Sequence, residues 1–299
     1  MRALWLTLLL TACRGDRVPS PTPPPLSHVP VPVPVPESPC PSPSPSPSPS
    51  APASPLALTP PVTTDWCIEG MIALDDDCCY VAPAGSTKLL VYLHGIVPPT
   101  KDSVQKQTVQ GAVTRAATHA GVAAIVPRGR RGIGPDGARD WWAWPTSPAT
   151  HAQLADAIVA RFVVLEDKLE ALLGTKFERT YLAGSSNGAY FLSALALRGD
   201  CDRLGFPIDG YGAMSGGAPG GRSPVALAGR TPHPVYVGFG TYDAETKPGA
   251  LALAAVFLGA HWPVRVAEHP FGHGAREVYL DEAFAFWEAS GSHAEEAGR

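Results

Sequence analysis

Three side chains set the chemistry that this sequence could perform. Ser186 stands in Gly184-Ser185-Ser186-Asn187-Gly188, Asp243 closes Gly240-Thr241-Tyr242-Asp243, and His273 lies in Gly272-His273-Gly274. A serine hydroxyl is a poor nucleophile near neutral pH, so a neutral imidazole must take its proton during attack. In that scheme Ser186 attacks a carbonyl carbon, and His273 accepts the proton and returns it to the leaving group. Asp243 fixes the imidazole tautomer and stabilises the imidazolium that forms. The developing oxyanion needs donors, and the backbone N–H groups of Asn187 and Ile96 are the candidates.

Each member also has a plain structural explanation. Small residues crowd into any loop, an aspartate suits any turn, and His94 reads as a brace for the Gly95-Ile96 loop rather than as a reacting group. His269 competes with His273 for the role of base. Two histidines four residues apart can bind zinc on a helix, but Pro270 and Gly272 argue against a helix here. The glycines beside His273 allow close approach to Ser186, which favours His273. What gives the set its specificity is its order.

That order depends on the elements that carry it. Thr180–Ala183 favours a strand and Ala189–Leu197 a helix, so Gly184–Gly188 is a strand-to-helix turn. Such a turn strains its serine, and glycines on either side remove Cβ atoms that would collide with neighbours. Leu89–Leu93 and Val122–Val126 are continuous apolar runs of the kind buried on both faces of a sheet. Ile208–Ala213, Pro234–Phe239 and Val264–Ala267 are further strands, and Trp66–Leu74 with Cys78–Ala82 forms an opening hairpin around Asp75-Asp76-Asp77. Helices are expected over Ser103–His119, Ala152–Leu173, Gly249–Leu258 and Arg276–Ala289. Leu154, Ile158, Phe162, Leu165, Leu169 and Leu172 make one apolar face of the second of these. Strands alternating with helices predict an α/β fold, a mostly parallel sheet with helices on both faces. Chemistry then gathers just past the strand ends, where Ser186, Asp243 and His273 follow in that order.

His94-Gly95 after an apolar strand, GSSNGAY, GTYD and GHG together resemble the α/β-hydrolase superfamily. The Ser-Asn-Gly elbow and the Gly-Thr-x-Asp loop are similar to its polyhydroxybutyrate depolymerase and feruloyl esterase branch. The elbow continues as Gly188-Ala189 where that branch often has two glycines. The resemblance spans most of residues 63–293 and implies a carboxylic ester hydrolase with no cofactor; no insertion in the sequence is large enough for a separate lid domain. Its substrate would be an ester, small or polymeric. The same constellation serves a serine peptidase, and a hydrolase fold that only binds a ligand is the non-catalytic alternative.

Residues 1–12 read as a lipoprotein-type signal. Arg2, the apolar Ala3–Leu10 and then Leu10-Thr11-Ala12-Cys13 resemble a bacterial lipobox, which implies lipidation of Cys13. Residues 13–62 hold more than half of the chain's 34 prolines, many in Pro-Ser repeats. Such a segment builds no core and serves as an extended tether. This places the domain at the cell envelope or outer membrane surface of a bacterium, held to the membrane by lipid, or secreted. Residues 294–299 are a short tail. The formal net charge of −4 gives no sign of nucleic-acid binding.

Of six cysteines, Cys67, Cys78, Cys79 and Cys201 lie in the domain. Outside the cytoplasm an even number favours two disulfides, with Cys78 and Cys79 taking different partners. A zinc site is the alternative, disfavoured because Cys78-Cys79 lacks the spacing that lets two thiolates share a metal. Finally, Trp141, Trp142 and Trp144 lie on the rim expected near Ser186, as a substrate pocket or as a loop anchored to the core. Arg128-Gly129-Arg130-Arg131 precedes them as a basic loop, solvated or meeting an anion.

Overall fold

The structure is a computed structural model that describes residues 64–217 and 227–297. The signal, Cys13 and the tether therefore lie outside the described residues.

An eight-stranded sheet runs in the order β1-β2-β4-β3-β5-β6-β7-β8. Its strands are β1 (Ile72–Asp75), β2 (Cys78–Val81), β3 (Lys88–Leu93), β4 (Ala123–Pro127), β5 (Arg179–Ser185), β6 (Gly210–Met214), β7 (Val235–Gly240) and β8 (Val264–His269). The hairpin β1–β2 and the β2–β4 pair are antiparallel, and every pair from β4 to β8 is parallel. Helices α1 (Val104–Ala120), α2 (Pro148–Leu173), α3 (Asn187–Arg198), α4 (Asp200–Arg203), α5 (Lys247–Gly259) and α6 (Glu277–Ala297) complete the chain. None of the described helices is long and apolar enough to cross a membrane.

Alternation along the strands sorts the core into two layers. Leu89, Val91 and Leu93 of β3 face the side covered by α2, α3 and α5, while Leu90 and Tyr92 face α1 and α6. Both layers bury large apolar side chains, so the central strands carry no polar face.

Some expectations shift in detail. Leu172 is exposed, because the last turn of α2 instead turns Glu170 inward, where it accepts the Phe177 N–H and pairs with Lys176. The closing helix runs eight residues past Ala289 to Ala297, taking in most of the expected tail. Helix α4 has no apolar period of its own and was not anticipated.

The cysteines require a correction. Cys67 bonds Cys79, whereas Cys78 and Cys201 are free and buried. Neighbouring residues on a strand point to opposite faces, so Cys79 meets Cys67 on the α1 side and Cys78 turns toward α2. Cys201 sits beside Tyr211 of β6, four strands from β2. That is roughly 19 Å of sheet, against a reach of about 7 Å for a disulfide. Burial pushes both free thiols well above the ordinary cysteine range. Among the described residues, no cluster of His, Cys, Asp or Glu is arranged to hold a metal ion.

Candidate active site

Strand β5 ends at Ser185 and helix α3 begins at Asn187, leaving Ser186 alone in the turn at φ 51° and ψ −121°. A positive φ in a residue with a Cβ is a strained conformation. The surroundings hold it there. Ser186 donates its N–H to the Met214 carbonyl at 2.9 Å. Glycine is required on both sides, since a Cβ on Gly184 or Gly188 would come within 2.8 or 2.1 Å of the Leu93 carbonyl oxygen.

His273 reaches this serine from the loop after β8. Its Nε2 lies 2.9 Å from Ser186 Oγ, and its Nδ1 lies 2.9 Å from Asp243 Oδ2. The carboxylate is almost fully buried, while the imidazole side chain keeps 45% of its exposure. The loops that carry the two are laced together. Thr241 and Tyr242 donate backbone N–H groups to the His269 and Phe271 carbonyls, and Gly240 packs so closely that a Cβ would meet Phe271 O at 2.1 Å. Ser215, itself at φ 46°, donates its hydroxyl to Gly274 O at 3.1 Å from beneath.

Sequence reasoning did not identify Thr246. Its hydroxyl donates to Asp243 Oδ2 at 2.6 Å and its N–H to Oδ1 at 3.3 Å. Burial raises the Asp243 pKa, but the bonds from Thr246 and His273 outweigh it and hold the carboxyl below its ordinary range. An Asp-x-x-Thr step into a helix is the signal that would have pointed to it.

His269 stands elsewhere. Its ring packs on Phe271 and Tyr279, and its Nε2 lies 3.2 Å from Glu282 Oε1 on α6.

The two expected oxyanion donors, Asn187 and Ile96, line the same cavity as Ser186 and His273. Asn187 is the first residue of α3, so its N–H has no partner within the helix. The loop of Ile96 comes close to the serine, with a Cβ on Gly95 only 3.2 Å from Ser186 Cβ. His94 holds that loop in place. Its Nε2 accepts the Gly129 N–H at 2.8 Å, so the ring hydrogen sits on Nδ1, which donates to Gly95 O at 2.5 Å. The ring is buried between Trp66 and Trp144. Burial, only partly opposed by the Gly95 bond, lowers its pKa to about 4, so it is neutral at physiological pH.

The tryptophans correct the expectation of a substrate pocket: Trp141, Trp142 and Trp144 line no part of the cavities at Ser186. Trp144 is buried and stacked on Phe191 with its indole N–H on His94 O. Its backbone N–H bonds Asn187 Oδ1 at 2.6 Å. Trp142 pairs its backbone with Val97, and the Arg128 guanidinium lies 4.4 Å from its ring centre. Arg128 is itself committed to Asp65 and Asp77, so it is part of the scaffold rather than a free cation. Trp141 is half-buried.

The architecture is that of known structures. A solved structure of YahD with malic acid shares 13% identity, with a TM-score of 0.51, over 71% of this chain and 98% of that one. Esterase PE8 shares 19% identity, with a TM-score of 0.50, over 70% of this chain and 96% of its own. At these identities the likeness shows the fold, an α/β-hydrolase sheet with its helices. No protein-family model and no curated protein matches the sequence.

Proposed function

We propose that this chain is a serine hydrolase that cleaves carboxylic esters through an acyl-enzyme. The observation that carries the reading is the pair of 2.9 Å contacts that His273 makes, to Ser186 on one side and Asp243 on the other. Ser186 donates its hydroxyl hydrogen to Nε2 as Oγ attacks the ester carbonyl, and the imidazolium is stabilised by the Asp243 carboxylate. The tetrahedral oxyanion takes the N–H groups of Asn187 and Ile96, the former also at the positive end of the α3 dipole. Collapse expels the alcohol, which takes its proton from His273. Water then repeats the sequence in reverse to free the acid.

The likeness of the fold to esterase PE8 agrees with an ester substrate. The GSSNGAY and GTYD motifs support the depolymerase and feruloyl esterase branch, and the Leu-Thr-Ala-Cys13 signal with its proline-rich segment supports a lipid-anchored, surface-tethered enzyme.

A fluorophosphonate probe tests the core of this reading. Covalent labelling should map to Ser186 and vanish in Ser186→Ala and His273→Ala. Retention of label in Ser186→Ala, or no turnover on any of a panel of aliphatic, hydroxycinnamoyl and polyester substrates, overturns it. The anchor has its own test: Cys13→Ala should move the protein from membranes to the soluble fraction, and an unmodified mature N-terminus by mass spectrometry removes the idea.

A further inference from the structure

The space around Ser186 is divided into two lobes of different chemistry. The smaller, about 290 Å³, opens between the β3–α1 loop and the histidine loop, and Ile96, Val97, Val104, Val109 and Ala275 form apolar walls beside Gln105 and Thr108. Arg276 stands among them with its guanidinium 5.5 Å from the centre of the Phe271 ring. The larger lobe, about 680 Å³, extends toward the β4–α2 connection and the Asp243 loop. Thr146, Ser147, Thr150, Tyr190, Arg139 and Glu245 give it a polar lining. The lobes meet at Ile96, Ser186 and His273, so a carbonyl held at Ser186 sends one substituent into each.

Size and charge then decide what fits. Pockets for drug-sized ligands span about 300–1,000 Å³, so the smaller lobe holds a short group and the larger a bulkier one. Apolar walls reject a polar group that would lose its hydrogen bonds to water. In the larger lobe, neither Arg139 nor Glu245 forms an ion pair among the described residues. Their formal charges cancel, so the lobe offers hydrogen bonds of both senses and carries no net charge from this pair.

We infer that the substrate is an amphipathic ester, with a short aliphatic group in the small lobe and a neutral, hydrogen-bond-rich group in the large one. This rests on the hydrolase reading above. A short fatty acid esterified to a polyol and a short alkyl ester of a polyhydroxy acid share this chemistry, and they place the aliphatic group on opposite sides of the ester bond.

Two series of esters test it: glycerol esters of acetic to octanoic acid, and methyl to hexyl esters of gluconic acid. In one series kcat/KM should rise about fourfold per methylene until the small lobe fills, following the transfer free energy of a methylene group. The series that rises identifies which side of the ester occupies the lobe. Thr108→Trp, on the exposed face of α1 at the small lobe, should lower the ratio of long-chain to shortest-chain turnover at least tenfold. Arg139→Ala should lower the preference for glycerol or gluconate esters over the matching simple alkyl esters severalfold. Flat profiles in both series, an unchanged ratio in Thr108→Trp, or a preference for choline or succinate half-esters over neutral ones overturns the inference. Fluorophosphonate labelling of Ser186 is measured alongside. Labelling with flat profiles defeats the lobe assignment alone, whereas absence of labelling defeats the hydrolase reading itself.

Discussion

Trp144 donates its indole N–H to the carbonyl oxygen of His94 at 2.9 Å. The same residue gives its backbone N–H to the side chain of Asn187 at 2.6 Å. One tryptophan therefore ties together the two segments that carry the proposed oxyanion donors, the loop after β3 and the first turn of α3. The stacked Phe191 ring, 5.9 Å away, fixes its plane.

Trp144→Phe should keep most of the stacking and lose the bond to His94. A buried carbonyl left without its donor costs about 1–3 kcal/mol, and part of that loss should appear as misplacement of the proposed oxyanion donors. We expect kcat to fall about tenfold with KM little changed, equally on short and long esters. Selective loss on one acyl length would instead make Trp144 a pocket residue. Trp144→Ala should lower stability by about 3–5 kcal/mol, read from denaturant unfolding.

The neutral state of His94 carries a pH dependence. Its folded pKa of about 4 lies below the ordinary value of 6.5, because burial disfavours the imidazolium. Between those two values the unfolded chain binds more protons than the folded one, so stability rises with pH. The contribution is complete above pH 6.5 and falls away as pH drops toward 4, by roughly 3 kcal/mol in all. His94→Gln should be less stable at pH 7 and show a shallower loss between pH 6.5 and 4 in urea titrations. Parallel stability curves for the two proteins would refute this assignment.

The sequence made some of this architecture legible and hid the rest for physical reasons. Ser186, Asp243 and His273 could be placed because each lies one loop beyond an apolar strand, and that order is local information. The tryptophan brace could not. Its geometry depends on the isolated bridge Val97–Trp142, which joins segments far apart in the chain, and on the shorter-range bridge Arg130–Ala143. The same composition of rings and arginines would suit an open pocket. Cys78 and Cys79 show the limit from another side. Their adjacency implies opposite faces, but only the strand order shows that Cys201 is too far from Cys78 to bond it. Thr246 is hidden for another reason: Asp-x-x-Thr is a common step into a helix, and only the fold shows that this Asp243 is the one His273 also contacts.

The Cys67–Cys79 bond closes a short loop, with a sequence separation of 12. Loops of this size restrict the unfolded chain by about 3 kcal/mol. Replacing both cysteines by serine should lower stability by about that amount, read from urea midpoints. Peptide mapping should recover Cys67 linked to Cys79, while Cys78 and Cys201 take up alkylating agent only after unfolding. A Cys78–Cys201 crosslink in the native protein would contradict the strand order.

Thr246 separates positioning from mere packing at the carboxylate. Its hydroxyl and His273 Nδ1 share Asp243 Oδ2, and these bonds overcome the burial that would otherwise raise the carboxyl pKa. Thr246→Val keeps the shape and removes the hydroxyl donor, at a cost typical of a bond to a charged group, about 1.5–3 kcal/mol. We expect kcat to fall roughly tenfold or more with KM nearly constant, and Thr246→Ser to recover most of it. The sign of the pH effect follows from the depressed carboxyl. Its stabilisation is present above the ordinary aspartate pKa of 3.8 and is lost as pH falls through the lower folded value. In Thr246→Val that folded value should rise, so acid unfolding should begin at higher pH than in the parent protein. His269→Ala supplies the contrast, because its ring packs against Phe271 and Tyr279 and does not touch Ser186. It should lower the melting temperature while leaving kcat within severalfold. If His269→Ala abolishes turnover and Thr246→Val leaves both kcat and the acid transition unmoved, the Asp243–His273 arrangement is not the one that operates on substrate.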